Sequence, residues 1–232
     1  MRPSSPPLML FAAGLGTRMG ALTADCPKPL IRVAGRPLID HALALADGAG
    51  VTRIVANTHY LAPRMEAHLA PRGVAISRES PRILETGGGL KAALPLLGSD
   101  PVLTLNTDAV WTGANALTQL IEGWDGARMD GLLLLLPAAK ATGHGGTGDF
   151  VMRPDGRLDR ARGAAGFVYL GAQILRTGAL ADISDEVFSL NLLWDRMIAE
   201  GRLHGLIHDG GWCDVGRPEG IVLAENLLGG AA

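Results

Sequence analysis

The sequence predicts an α/β fold of three layers around a mixed, mostly parallel central sheet. Three observations predict it. An apolar run, Leu8–Ala13, breaks into the glycine-rich turn Gly14–Leu15–Gly16. Short β-type runs then alternate with helical segments, the rhythm of crossover units. The unbroken run Leu132–Leu136 fits a strand covered on both faces.

The elements follow in order. Leu8–Ala13 reads as the first strand, and Pro37–Gly48 as a helix whose Leu38, Ile39, Ala42, Leu45 and Ala46 recur at helical spacing. Arg53–Asn57 and Val74–Ser77 read as strands around a helix at Ala62–Leu69. Leu90–Leu97 reads as a helix, Val102–Leu105 as a strand and Ala114–Glu122 as a helix. From about residue 138 the rhythm changes. Lys140–Gly148 is a loop of glycine and small polar residues, and its stretch 143–148 is expected to act as a lid over a bound sugar. Phe150–Met152 and Arg157–Asp159 form a hairpin around Pro154–Asp155–Gly156. Phe167–Leu170 is a strand, Leu190–Glu200 a helix, and Val215–Leu228 a closing helix. Residues 1–7 are expected to be a loose tail and 8–232 one domain, with a first half at 8–137 and a second at 138–232 folded over it.

Composition narrows the function. A hydrophobic content of 47% supports a substantial core, and a net charge of −2 supplies no basic field for nucleic acid. The apolar run at the N-terminus is short, flanked by proline and ended by glycine, so it reads as a buried strand rather than a leader, and Leu132–Leu136 is far too short to span a bilayer. Cys26 and Cys213 form neither a disulfide framework nor a metal-ligand spacing, which fits a reducing, cytoplasmic setting. Oligomeric state is left open between a monomer and a small homo-oligomer.

The candidate site residues cluster where ligands gather in such folds, beyond the carboxyl ends of the strands. Gly14, Gly16 and Gly20 are spaced one residue too widely for a dinucleotide fingerprint, and no Walker lysine is present. A strand, a turn rich in free amides, Arg18, and Lys28 held between Pro27 and Pro29 instead make a cradle for a polyphosphate. Only three of the 21 basic residues are lysines, so one locked between two prolines is notable. Asp108 follows Asn106–Thr107 at the end of a strand, and Asp214 lies in the late stretch Gly211–Gly216. Each alone is ambiguous; with a triphosphate they fit Mg²⁺, which takes one or two carboxylates plus phosphate oxygens. Leu84–Gly89 carries three consecutive glycines, expected to let a flat group approach the backbone, with Glu79 a candidate acceptor for a base N–H.

Assembled, these pieces resemble the sugar-phosphate nucleotidyltransferase family. AAGLGTRMG followed by CPKPL and AGRPLIDH looks like its pyrophosphorylase motif, and LETGGG, Asp108 and WCDVG follow in the right order. LETGGG, Trp111–Thr112 and Gly148–Asp149–Phe150 look most like the family's uridylyltransferases for N-acetylmuramate 1-phosphate, with sister enzymes for mannose or heptose 1-phosphate and a non-catalytic nucleotide-sugar regulator as alternatives. The resemblance implies a Rossmann-like three-layer nucleotidyltransferase fold, a nucleoside triphosphate and a sugar 1-phosphate as partners, and Mg²⁺ on Asp108 and Asp214. It further implies catalytic roles for Arg18 and Lys28, nucleotide contacts from Ala13, Gly14, Gly16, Thr17, Glu79, Gly87 and Gly88, and sugar contacts from Asn106, Asp149 and Gly166. One departure stands out: Thr107 replaces the family's usual glycine, and the segment Ala109–Val110 is one residue longer, which is expected to shift the backbone near the metal.

Overall fold

The computed structural model describes residues 5–230. Its elements run β1 (Leu8–Phe11), β2 (Arg32–Val33), β3 (Arg36–Pro37), α1 (Leu38–Gly48), β4 (Ile54–Thr58), α2 (Ala62–Leu69), β5 (Ala75–Arg78), α3 (Glu85–Leu97), β6 (Val102–Asn106), β7 (Ala109–Trp111) and α4 (Ala116–Gly123). They continue with β8 (Gly131–Pro137), β9 (Phe150–Met152), β10 (Leu158–Arg160), β11 (Phe167–Leu175), α5 (Asn191–Ala199), β12 (Leu203–Ile207), β13 (Trp212–Asp214) and α6 (Glu219–Gly229).

The main sheet is mixed. β6, β1, β4 and β5 lie side by side and run parallel, so these four strands share one carboxyl edge. β11 is antiparallel to β6, β8 and β9, β12 is parallel to β8, and β10 closes the hairpin onto β9. Because β11 comes from the second half of the chain and lies between β6 and β8, both halves share one sheet.

Alternation along the strands divides the core in two. Leu8 and Leu10 face α1, α2 and α4, together with Ile39, Leu43, Met65, Leu117 and Leu120. Met9 faces the opposite side with Val55 of β4, Leu90 and Leu97 of α3, and Leu193 and Trp194 of α5. α4 starts where the Asn115 side chain accepts from the amides of Leu117 and Thr118, satisfying two donors that a helix start leaves open.

A third, smaller cluster assembles the site. Met19, Ile31, Val33, Leu38, Val110, Cys213, Val215 and Ala224 are buried together beneath the rim of the sheet. Each functional candidate sits close in sequence to one of them: Arg18 beside Met19, Lys28 three before Ile31, Asp108 two before Val110, and Asp214 between Cys213 and Val215. The two-strand ladder of β7 with β13 pairs Ala109 with Asp214, and the Val215 amide donates to the Asp108 carbonyl at 2.8 Å. Burying the apolar neighbours therefore fixes the polar residues at one edge of the sheet.

Several details differ from the sequence reading. Of the expected tail, residues 1–4 lie outside the described residues, while Pro7 is buried and its carbonyl accepts from the Leu103 amide at 2.8 Å. α3 begins at Glu85 and includes all three glycines, five residues earlier than read. β11 continues through Gly171 to Leu175, because Gly171 (φ +83°) marks a register shift inside one strand, not its end. The last helix starts at Glu219, just after Pro218, and Trp212–Asp214 before it is a strand. β12 was not foreseen.

Candidate active site

Two adjoining clefts open at the carboxyl edge of the parallel strands. The first, about 220 Å³, lies between the ends of β1 and β6 and the first turn of α3; Ala13, Gly14, Lys28, Asn106 and Asp108 are among its lining residues. The second, about 300 Å³, is bounded by Arg18, His144, Asp214 and Arg217 with the glycines that flank His144.

Lys28 opens a 3-10 turn, Lys28–Leu30, and is buried. Its ammonium donates to an Asp108 carboxylate oxygen at 2.7 Å. The lysine stem lies against Gly16, whose left-handed backbone (φ +66°) leaves no room for a side chain: a Cβ there would come within 2.8 Å of Lys28 Cβ. Gly14 is open to the cleft, and among the described residues the amides of Gly14, Leu15 and Gly16 have no backbone partner. These are free donors suited to phosphate oxygens. Thr17 and Arg18 begin the 3-10 turn that follows.

Asp214 lines the second cleft. Burial, then the nearby Asp108 carboxylate, raises its pKa above the usual carboxylate range, while Lys28, Arg18 and His144 pull in the opposite direction. Lys28 and Asp108 thus line the first cleft and Asp214 the adjoining one, within electrostatic reach of both. Cys213 beside it points into the third cluster, with its thiol pushed up to about 11 by burial and then by Asp214, so it is an inert core residue rather than a nucleophile.

The residues expected around a base occupy different roles. Glu79 is buried, not solvated, and both its oxygens are taken: Asn57 Nδ2 donates to one at 2.7 Å and the Leu84 amide to the other at 2.7 Å. Asn57 in turn accepts from the amides of Ala12 and Ala13 at 2.7 and 3.3 Å, which fixes the exit of β1 into the cradle. Gly87 and Gly88 do allow a close approach, but the chain itself makes it. Both amides donate to the Phe188 carbonyl, and a Cβ would strike the Phe188 ring at 2.4 Å or the Glu186 carbonyl at 2.2 Å.

On the expected sugar side, Asn106 ends β6 and lines the first cleft, backed by Gly171, where a Cβ would meet its side chain at 2.7 Å. Asp149 and Gly166 do not line that cleft. The Asp149 carboxylate accepts from the Tyr169 amide at 2.9 Å, and Gly166 is pressed against the Phe150 carbonyl. Thr107 turns its hydroxyl to the Phe11 carbonyl at 2.7 Å, tying the ends of β6 and β1, and the longer segment after it supplies β7.

Sequence reasoning missed Asn57, Glu85 and Arg217. The strand-end rule that singled out Asp108 also applies to Asn57, at the carboxyl end of β4. Glu85 lines the first cleft with a left-handed backbone (φ +60°), which a pattern search cannot see.

Comparisons with known proteins agree with this arrangement. Residues 8–140 match the family described as the MobA-like NTP transferase domain. The chain is 43% identical to an N-acetylmuramate alpha-1-phosphate uridylyltransferase of Caulobacter vibrioides, over 95% of this chain and 96% of that one. It is 33% identical to the protein of the same name from Neisseria meningitidis serogroup B, over 95% and 97% of the two chains. The crystal structure of HddC from Yersinia pseudotuberculosis complexed with GMP-PN shares the fold, with a TM-score of 0.77 at 20% identity over 95% of this chain and 98% of that one. Match and geometry lead to one conclusion: this chain belongs to the MobA-like NTP transferase family.

Proposed function

We propose that the protein transfers the uridylyl group of UTP to N-acetylmuramate α-1-phosphate, releasing pyrophosphate. The observation that carries this reading is the Lys28–Asp108 pair at the ends of parallel strands, with Asp214 and Arg18 lining the adjoining cleft. The choice of base and sugar rests on the near full-length likeness to two proteins bearing that name.

An oxygen of the sugar 1-phosphate attacks the α-phosphorus in line. The new P–O bond forms as the bond from the α-phosphorus to the bridging oxygen breaks, and that electron pair leaves with pyrophosphate. Such transfers depend on positioning and on charge neutralisation more than on covalent catalysis. The free amides after β1 hold the triphosphate. Lys28, kept against Asp108, presents a point charge between the α-phosphate and the incoming phosphate. Arg18 offers a planar fork to the departing group. Asn106, Asp149 and Gly166 serve the sugar side by likeness to the family.

The donor set fits Mg²⁺. Asp108 lines one cleft and Asp214 the adjoining one, and burial together with Asp108 raises the Asp214 pKa, an effect that a divalent cation between them offsets. Asp108 and Asp214 would hold the ion, which when bound supplies further neutralisation of phosphate charge.

The test is pyrophosphate release by purified protein from the four common nucleoside triphosphates against N-acetylmuramate, N-acetylglucosamine, mannose and heptose 1-phosphates. Highest kcat/KM is expected with UTP and N-acetylmuramate 1-phosphate. Preference for GTP with mannose or heptose 1-phosphate would overturn the substrate assignment.

A further inference from the structure

The second cleft holds more positive charge than Arg18 alone provides. Arg217 lies across it, one residue past Gly216 in the turn that leads into α6, and His144 reaches it from the loop after β8. Among the described residues neither Arg18 nor Arg217 closes onto a carboxylate. This is so although Asp214 stands in the same cleft. Arg18 and Asp214 both border Gly216: a Cβ there would lie 2.7 Å from Asp214 Oδ2 and 3.3 Å from Arg18 Nη2.

The walls of this cleft are built, not loose. A Cβ on Gly143 would come within 2.5 Å of the Asp214 carbonyl, and one on Gly220 within 2.7 Å of it, so the His144 loop and the start of α6 both rest on the backbone that carries Asp214. Two unpaired guanidinium groups and an imidazole therefore face a single carboxylate. That imbalance calls for a ligand with more negative charge than a carboxylate or one phosphate monoester. Lys28 and Asp108 already occupy the neighbouring cleft, where the α-phosphate belongs.

We infer that Arg217, assisted by His144, contacts the β- and γ-phosphates of the nucleotide and holds the pyrophosphate as it departs. The inference rests on the nucleotidyl transfer proposed above. As the bond between the α-phosphorus and the bridging oxygen breaks, negative charge grows on that oxygen and spreads over pyrophosphate. A second guanidinium at this place meets the charge with parallel N–H donors.

The experiment compares wild type, Arg217→Met, Arg217→Lys and His144→Ala. Pyrophosphate binding in the presence of Mg²⁺ is measured by calorimetry. KM values are measured for UTP, for sugar 1-phosphate and, in the reverse direction, for pyrophosphate. Arg217 is exposed, so its variants are expected to fold. Arg217→Met should weaken pyrophosphate binding and raise the KM for UTP and pyrophosphate about 10- to 100-fold, the loss of one hydrogen-bonded charged contact. UMP binding and the sugar 1-phosphate KM should not move, Arg217→Lys should recover part of the loss, and His144→Ala should shift the same constants less. Wild-type pyrophosphate affinity in Arg217→Met, or a rise confined to the sugar 1-phosphate KM, would overturn the inference. Arg217-dependent pyrophosphate binding in a protein that turns over no sugar phosphate would instead defeat the proposed reaction and leave the binding site standing.

Discussion

The Lys28 ammonium and the Asp108 carboxylate meet at 2.7 Å although 80 residues of chain separate them. The contact crosses from the cradle after β1 to the end of β6, so it joins the side of the cleft proposed to hold phosphate to the side proposed to hold Mg²⁺. Lys28→Met removes the cation but leaves Asp108 with a third of its side chain in solvent, so no buried charge is stranded. The fold should persist, with kcat falling about 10²–10³-fold, the usual cost of losing a charge-stabilising group. Pyrophosphate-release assays beside a circular-dichroism melt check both halves of this expectation; turnover near wild type would contradict the role given to Lys28.

Asp214→Ala should cost turnover to a similar degree, about 10²–10³-fold. It should also raise the Mg²⁺ concentration needed for half-maximal rate, because only Asp108 then remains as a carboxylate ligand. The chain itself should become no less stable, since a carboxyl group whose ionisation is opposed by burial and by Asp108 is removed. A magnesium titration of the residual activity, with a thermal melt of the metal-free protein, tests the two together.

Gly16→Ala should damage the protein in two ways. The left-handed backbone there disfavours any side chain, and the added methyl group meets Lys28 Cβ at 2.8 Å. The lysine would have to withdraw from Asp108, so lower Tm and lower kcat are expected together, with destabilisation of about 1–3 kcal/mol. Gly14→Ala, where no atom lies within 4 Å, should keep its Tm and change mainly the KM for UTP. Equal effects on Tm at the two glycines would count against this account.

Glu79 is held between Asn57 and Leu84, so its effect on nucleotide binding runs through the β1 exit. Glu79→Ala leaves Asn57 Nδ2 and the Leu84 amide without their acceptor, at about 1–3 kcal/mol for each buried group. Asn57 is then free to turn away from Ala12 and Ala13. The KM for every nucleoside triphosphate should rise together, with the UTP-to-GTP preference unchanged. A selective loss of UTP would restore a direct contact between Glu79 and the base.

The pattern of residues made the first half of the fold legible, because β1, β4, β6 and their helices are long enough to show their periods. Elements of two or three residues are not. β7 and β13 carry Asp108 and Asp214 to each other, yet neither spans a full alternation, and Trp212–Asp214 makes sense as a strand only once Ala109–Trp111 lies beside it. Lys28, Arg18, Asp108 and Asp214 stood out in sequence only as a set, and the structure brings Lys28 against Asp108 and Arg18 into one cleft with Asp214. Glu79, Gly87 and Gly88 were misjudged for a related reason. A buried carboxylate and a run of glycines look alike in sequence whether a ligand or the chain's own segment 186–188 fills the space. Arg217 carried no local signal, since nothing near it in sequence reveals that Asp214 leaves it unpaired.

His208 gives the small ladder of β7 and β13 a dependence on pH. The ring is buried against Trp111, with centroids 5.2 Å apart. Its Nε2 donates to the Thr112 carbonyl at 3.2 Å, and its Nδ1 accepts from Gln119 Nε2 at 2.8 Å. Gln119 cannot turn its oxygen to a protonated ring, because that oxygen already accepts from the Asp209 amide at 2.9 Å. Burial therefore lowers the His208 pKa, against smaller opposing contributions from Thr112, Gly211 and Asp209. The unfolded chain takes up this proton near the ordinary value of about 6.5, and the folded chain only at lower pH. The stabilising contribution is thus complete above about pH 6.5 and lost as the pH falls toward the folded value. Gln119→Glu supplies an acceptor in place of the amide donor and raises the folded pKa instead. Melts at pH 7.5 and 5.5 should show a smaller acid-induced fall in Tm for Gln119→Glu than for wild type; an equal fall in both would show that the acid sensitivity arises away from this histidine.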